Sequence, residues 1–526
     1  MSAIITDQIR ILNAKNFRNG VLSTSNAYYT FVGLTNSTDF SDTWEARPPS
    51  PRDSFNQEND YWDTMIAMKR ITSSDIMHVV PKRNWSSGSK YDMYRHDYSI
   101  DNLAAVSSAT NLYSSFFYVM NRDFRIYICL QNGTSPDNPT GKPSLDEPTF
   151  TDLEPRVAGS SGDGYVWKYL YTLSPSDIIK FDSTEFMPVP NDWETSSDNA
   201  LVRDNSVSGS IKIVTITNKG LNVGAANLQY RNVPIKGDGI GAECTITIDE
   251  NSQVLSVDIS NQGSGYTYGT VDLVAGSVPT GTVRPTFDVI IPPQGGHGYD
   301  IYRELGASNL LLYARIENDT QNPDFITGNK IARVGIVENP TEFNSTTILD
   351  KPKASAVGAL KLVGTGYSTA EFAINTFVSQ TIATGTTAFG RVINYDQTTG
   401  ILKFWQDRYL VGFNTSDGTP NITPRHGYDL AEFTSSPDTG GSLLIIPDNG
   451  NTSNLVVDSS FTGASTVINS RTYYYGLNFT EGIALPEVQK QSGNIIYVDN
   501  RPSILRSSNQ KEDIKIILQF LSLIHI

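Results

Sequence analysis

A chain of 526 residues is too long for one hydrophobic core, so two to four domains are expected. Its 38% hydrophobic and 18% charged content excludes a disordered chain, and 41 Gly, 26 Pro and 26 Tyr favour β structure with many turns. The 55 acidic against 40 basic residues give a net charge of −15, which argues against a nucleic-acid surface, because phosphate contact needs clustered Lys and Arg.

Two cysteines, Cys129 and Cys244, supply neither a disulfide framework nor a C-x-x-C spacing. Each reads as a small buried apolar group in a reducing cytoplasm. Residues 1–7 lack the basic region and apolar run of a signal peptide, and no uncharged apolar stretch approaches bilayer length, so no membrane is expected.

In chain order, Thr6 caps a short helix with Ile9, Leu12 and Asn16 or Phe17 on one stripe. Residues 27–34 form a strand, and the proline-broken 44–51 an extended loop. Asn59 or Asp60 starts a second helix with Trp62, Met65, Ile66 and Lys69 on its core face. Residues 116–130 read as two strands around the turn Asn121-Arg-Asp-Phe124, and 132–148 as a surface loop.

The best-specified stretch is Gly162-Asp-Gly-Tyr-Val-Trp-Lys-Tyr-Leu-Tyr171. A glycine turn leads into a strand with apolar groups on both faces, which places it between two packed layers and buries Trp167. Ser174, Pro175 and Asp177 then open a helix as cap, first helical residue and first-turn acid.

Composition shifts near Ser206. Val214-Thr-Ile-Thr-Asn-Lys-Gly220 recurs as Val257-Asp-Ile-Ser-Asn-Gln-Gly263, around Gly237-Asp-Gly-Ile-Gly241 and an alternating strand over 242–248. Such units bury their apolar faces only against neighbours. Gly263-Ser-Gly-Tyr266 is similar to a repeat common in phage structural proteins, and the first copy departs from it as Gly220-Leu-Asn-Val223. Strands follow over 288–293, 310–316 and 330–337. A hairpin joins 387–395 to 401–405 through Asp396-Gln-Thr-Thr-Gly400, and the chain closes with strands over 493–498 and 514–520.

No complete catalytic site is visible. The glycine runs lack the strand–helix context and the lysine of a phosphate loop, and no nucleophile elbow is present. His297-Gly-Tyr-Asp300 and His426-Gly-Tyr-Asp429 are the same tetrapeptide twice. His297, Asp300, His426 and Asp429 could converge on a cation, although a pair of tight glycine turns with an aromatic anchor explains them more simply. Neither a cofactor nor a metal is expected. Arg501 could bind an anion, but the favoured role is a planar, multi-donor link between segments or subunits.

Five blocks in order resemble the gene-eight-type baseplate wedge subunits of T-even-like, contractile-tailed bacteriophages. They are Pro48-Pro-Ser-Pro-Arg-Asp-Ser54, the stretch 62–68 opening at Trp62, Pro81-Lys-Arg83-Asn-Trp85, the Gly162 strand, and Asn494-Ile-Ile-Tyr-Val-Asp-Asn500-Arg501-Pro502. Within the Gly162 strand the matching residues are Gly162, Asp163, Gly164, Tyr165, Trp167 and Tyr169, and a thinner match near 330–340 includes Asn339 and Pro340. The resemblance is dense over 1–200 and 480–520, and residues 521–526 run past the family's expected end near Phe520.

The resemblance implies a virion structural protein of the tail baseplate. It would be assembled in the host cytoplasm, pair as a homodimer, bind other wedge subunits, and take part in the rearrangement that triggers sheath contraction. Composition and resemblance together predict a mainly β, multidomain chain of antiparallel, sandwich-like domains with few short helices. The expected divisions are a framework over 1–206, an inserted β-repeat module over 207–284, framework strands over 285–345, a second inserted β domain over 346–475, and a closing framework segment over 476–526. The competing class is a tail protein that binds or cleaves host carbohydrate.

Overall fold

The computed structural model describes residues 6–35, 42–195, 197–317, 325, 327–406, 431–447, 454–507 and 509–520. The chain is mainly β and multidomain, with antiparallel ladders and few short helices. Two compact units divide it: 1–18 with 76–312 and 516–526, and 19–75 with 313–515. No helix among the described residues is long and apolar enough to cross a membrane.

In the first unit, Tyr165–Thr172 lies in a four-stranded sheet between Arg156–Val157 and Arg125–Asn132, with Tyr118–Met120 beyond. Cys129 stands opposite Trp167 in the register. Aromatic and β-branched side chains suit this doubly covered position, and Tyr165, Trp167, Leu170 and Tyr171 are wholly buried. The turn before Arg125 closes because the Asn121 carboxamide accepts the Asp123 and Arg125 N–H groups, while Phe124 takes a left-handed φ of 57°. The helix Pro175–Phe181 starts as its sequence dictates, with the Ser174 hydroxyl accepting the Asp177 N–H at 3.2 Å.

The same unit carries a second core. Gln229–Gly237, Ile240–Ile248, Val254–Ser264 and Gly269–Val271 form one sheet, while Ile213–Asn218 pairs with Thr286–Ile290. Ile211, Val233, Cys244, Ile246 and Tyr266 belong to this core, whereas Ile290 belongs to the aromatic one. The two repeat copies end alike: Asn218 accepts the Gly220 N–H at 2.8 Å and Asn261 the Gly263 N–H at 3.2 Å. Both glycines sit at positive φ, 71° and 60°. Val223 and Tyr266, at equivalent places, are both buried, so the first copy changes the side chain and keeps the packing.

In the second unit, the strands Lys353–Ser355, Met65–Arg70, Tyr28–Gly33, Lys330–Glu338 and Asn494–Leu505 form a five-stranded sheet in that spatial order. A further sheet is built on Phe377–Ala383, Thr386–Asp396, Ile401–Trp405 and Gly358–Val363. The hairpin loop at Asp396 closes through its carboxylate, which accepts the Thr398 N–H at 2.9 Å and the Thr399 hydroxyl at 2.5 Å.

Three local expectations are corrected. Residues 65–69 are not helical: the helix is Phe55–Thr64, and Met65–Arg70 is a strand. Met65, Ile66, Ala67 and Met68 are buried between two partner strands, and a short apolar run fits a covered strand as well as a buried helix. The loop expected over 44–51 begins inside a short helix, Asp42–Ala46. The N-terminal helix runs from Asp7 to Leu22 and buries Ile11 and Ala14, leaving Ile9 and Leu12 about half exposed. Apolar residues lie around much of its circumference, so periodicity did not select the face that packs.

Candidate functional site: the motif residues as fastenings

The motif residues of the first unit tie a long loop to the aromatic sheet. Asp163 is buried, and its carboxylate accepts the Leu145 N–H at 2.8 Å and the Tyr165 N–H at 3.0 Å. Tyr165 donates its hydroxyl to the Lys142 carbonyl at 2.8 Å and accepts the Tyr91 N–H at 3.0 Å. Gly164 has φ 85°, and a Cβ there would lie 2.9 Å from the Gly133 Cα, so the turn needs glycine for space as well as conformation. Gly162 also has positive φ, at 71°. Trp167 stacks on Tyr165 at 5.3 Å, with its indole N–H unpaired among the described residues. Tyr169 is half exposed, and its hydroxyl lies 2.8 Å from that of Thr172.

Upstream, the Pro81 carbonyl accepts the Tyr118 hydroxyl at 2.8 Å. Arg83 donates to the Ser115 carbonyl and lies 4.3 Å from the Phe116 ring centre. Trp85 donates its indole N–H to Ser144 at 3.0 Å. These contacts of Pro81, Arg83 and Trp85 stay within the protein, as a scaffold requires.

In the second unit the organising cation is Arg333, which sequence reasoning missed. It is 1% exposed, donates to the Asp60 carbonyl (3.0 Å), the Thr64 hydroxyl (2.6 Å) and the Asn500 carboxamide (3.1 Å), and lies against the Tyr61 and Trp44 rings. Asn500 also donates to the Pro49 carbonyl at 2.9 Å, and Trp44 to the Arg501 carbonyl at 3.0 Å. Within the chain, a planar, multi-donor link of the kind considered for Arg501 is made by Arg333. Arg501 itself has a 64% exposed side chain and reaches only Asp499, two residues away; the neighbouring Pro502 is exposed. A lone Arg inside an alternating strand carries no signal in sequence that distinguishes it from a solvated one. Trp62 is fully buried. Asn339, at φ 50°, accepts the Ala27 N–H at 2.7 Å, and the Pro340 carbonyl accepts the Leu349 N–H at 2.8 Å.

The two cation candidates within the described residues turn to different partners. His297 is buried with Nδ1 2.5 Å from Glu304, while Asp300 caps the helix Ile301–Leu305 by accepting the Arg303 N–H at 3.1 Å. Tyr299 is 55% exposed, so the turn's aromatic anchor is Trp193, whose indole N–H reaches the Gly298 and Tyr299 carbonyls. His426 and Asp429 lie outside the described residues, as do residues 521–526. Among the described residues no three His, Cys, Asp or Glu side chains group as metal ligands.

Among the strongly perturbed titratable groups, His78 and Glu154 both sit in structural settings. Burial pushes His78 down to about 4, against a long 3.4 Å contact with Asn191. Burial alone would raise Glu154, but hydrogen bonds from Lys212, Gln262 and Asn205 outweigh it and hold the carboxyl down to about 2. Glu154 thereby fastens the repeat module to the aromatic core's loop, with Lys212 at 2.7 Å and Gln262 at 2.9 Å. Both cysteines are buried, which pushes their thiols up, Cys244 to about 12.

A family model described as Bacteriophage T4, Gp8 matches residues 3–152. The baseplate wedge protein gp8 of Enterobacteria phage T4 is 26% identical over 222 residues, covering 37% of this chain and 63% of that protein. The matched region thus spans less than two thirds of the relative's length. Residues 3–152 include the buried Trp62, the fastenings at Pro81, Arg83 and Trp85, and the loop that Asp163 and Tyr165 tie down. Over this region the chain is similar to gene-eight-type baseplate wedge subunits, in agreement with the resemblance its motifs carry.

Proposed function

We propose that this protein is a structural subunit of a phage tail baseplate wedge. It pairs with itself, binds other wedge subunits during tail assembly in the host cytoplasm, and moves with them in the rearrangement that triggers sheath contraction. The family match over residues 3–152 carries this reading. The motif residues support it, because their polar atoms hold loops and strands together rather than converging on a reacting centre. On this reading the protein catalyses nothing and needs no cofactor. The stretches 1–206, 285–345 and 476–526 serve as the wedge framework, with 207–284 and 346–475 as additions to it.

An electron-microscopy map of the assembled tail tests the proposal: the chain should occupy the wedge around the tail hub, in contact with other wedge subunits. Density for it on host-facing fibres would overturn the reading. Sedimentation of the purified chain should give twice the monomer mass, and a strict monomer at micromolar concentration would remove the pairing. Incubation with envelope polysaccharides should release no product, whereas hydrolysis abolished by one Asp or Glu substitution would favour a carbohydrate-cleaving protein.

A further inference from the structure

The motif block Pro48-Pro-Ser-Pro-Arg-Asp-Ser54 is held by its backbone while its side chains meet solvent. Pro48 is half-buried, Pro49 to Ser54 are exposed, and Phe55, which opens the helix Phe55–Thr64, is 72% exposed. The side chains of Arg47, Ser50, Arg52 and Asp53 make no hydrogen bond or ion pair among the described residues. Ser54 stands at the N-cap position of the helix, yet its hydroxyl caps nothing. A stretch whose side chains do so little for their own fold is free to serve another.

The backbone of this stretch is nevertheless fixed at both ends. Trp44, 2% exposed, anchors the approach to it through the Arg501 carbonyl. The Pro49 carbonyl accepts the Asn500 carboxamide at 2.9 Å. The Arg52 N–H donates to the Gln57 carboxamide at 2.7 Å and lies 3.3 Å from the Tyr61 hydroxyl. Tyr61 is buried, with the Arg333 guanidinium 5.0 Å from its ring centre, so the stretch stands on the Arg333 hub. Its three prolines lock their own φ, and Arg47, Pro48 and Ser50, each preceding a proline, are driven to extended backbone. The result is a short polyproline-II strap, in which three residues per turn set Pro48 and Pro51 on one edge. Little conformational freedom is left to lose on binding.

We propose that residues 47–55 are a docking strap that enters an aromatic-lined groove, rimmed by carboxylates, on another tail subunit. Proline rings pack on aromatic faces, as in other proline-rich ligands, and Phe55 adds an apolar anchor beside them. Arg47 and Arg52 bracket the prolines and present guanidinium forks to the rim carboxylates. Residues 47–52 hold two Arg and no acid in a chain of net charge −15, so an acidic groove is drawn to this strap in preference to the rest of the surface. Two guanidinium groups around a run of prolines do not make a track for a phosphate backbone, which needs clustered cations. The strap lies within residues 3–152, and placing its partner in the tail rests on the wedge reading.

The test uses tails assembled in infected cells from the full chain carrying Ser50→p-benzoylphenylalanine, then irradiated. One other subunit should be cross-linked, through a peptide that holds Phe, Tyr or Trp beside Asp or Glu. The yield should fall about tenfold in Arg47→Ala/Arg52→Ala and in Pro51→Ala, as loss of interface anchors predicts. All three side chains are exposed, so the isolated variants should keep the parent's unfolding midpoint. Tails that contain the chain but give no cross-link, a linked peptide without aromatic residues, a link to a second copy of this chain, or a yield that neither variant lowers would each overturn the strap and leave the wedge reading standing. Absence of the chain from the tails would overturn both.

Discussion

Trp167 stacks on Tyr165 inside a wholly buried aromatic cluster, so truncating it removes many contacts and leaves a void that a β-sheet cannot collapse to fill. Trp167→Ala should cost about 3–5 kcal/mol in chemical denaturation, and a loss under about 1 kcal/mol would contradict its place in the core. The two arginines of the second unit give a sharper contrast. Arg333→Ala leaves three acceptors without their donor, the buried Thr64 hydroxyl among them, and should also cost about 3–5 kcal/mol, whereas Arg501→Ala should stay within about 0.5 kcal/mol. The reverse order would return the linking role to Arg501. His78 makes stability depend on pH. Its folded value of about 4 lies below the ordinary value of 6.5, so between them the unfolded chain binds a proton that the folded chain does not. Stability is therefore full above pH 6.5 and declines as the pH drops towards 4, by about 3 kcal/mol for this group. Asn191, Tyr302, Arg18 and Lys15 surround the ring. His78→Phe should flatten this part of the profile; an unchanged slope would place the dependence elsewhere.

Single elements differ in how far their sequences declared them. The glycine turns were legible because their chemistry is local: Asn261, Gly263 and a positive φ are specified within three residues. That same locality makes Gly263→Ala harmful. A Cβ there would meet the Ala242 N at 2.5 Å and the Ile240 O at 2.6 Å, both backbone atoms of the adjacent strand. The substitution should cost about 1–3 kcal/mol, read from the unfolding of the repeat module, and a neutral outcome would mean the turn is not formed. The Gly162 strand was legible for a second reason, since aromatic side chains on both faces have few alternatives to a covered strand. Met65–Arg70 was not legible, because four consecutive apolar residues satisfy helix and strand alike and the choice falls to partners far along the chain, Tyr28–Gly33 and Lys353–Ser355. Arg333 was hidden in the same way: its three acceptors come from residues 60, 64 and 500, and only the folded chain assembles them.

At the scale of the whole molecule, composition shifts at Ser206, while the structure ties the repeat segment to its surroundings through a ladder as well as through Glu154. Ile213–Asn218 pairs with Thr286–Ile290, and Ile213 stands opposite Ile290. One side of this ladder serves the aromatic core through Ile213 and Ile290; Val214, Val289 and the adjoining Ile211 and Ile291 serve the module's own core. A segment cut at 207 and 284 therefore keeps Ile213–Asn218 and loses the strand it pairs with. Residues 207–291 retain both, and the pairing of Ile213 with Ile290 holds the two arms of the segment together, so little loop-closure entropy is required on joining or freeing them. We expect 207–291, expressed alone, to unfold cooperatively in denaturant, and 207–284 to be less stable or only partly folded. The parent chain with 207–291 replaced by a short Gly/Ser linker should remain soluble, at the cost of the contacts that Ile213 and Ile290 made and of the ties from Lys212 and Gln262 to Glu154 and from Asp288 to Arg95. If 207–291 is unfolded in isolation and its removal aggregates the remainder, the two cores fold as one, and the module is no separable addition to the framework.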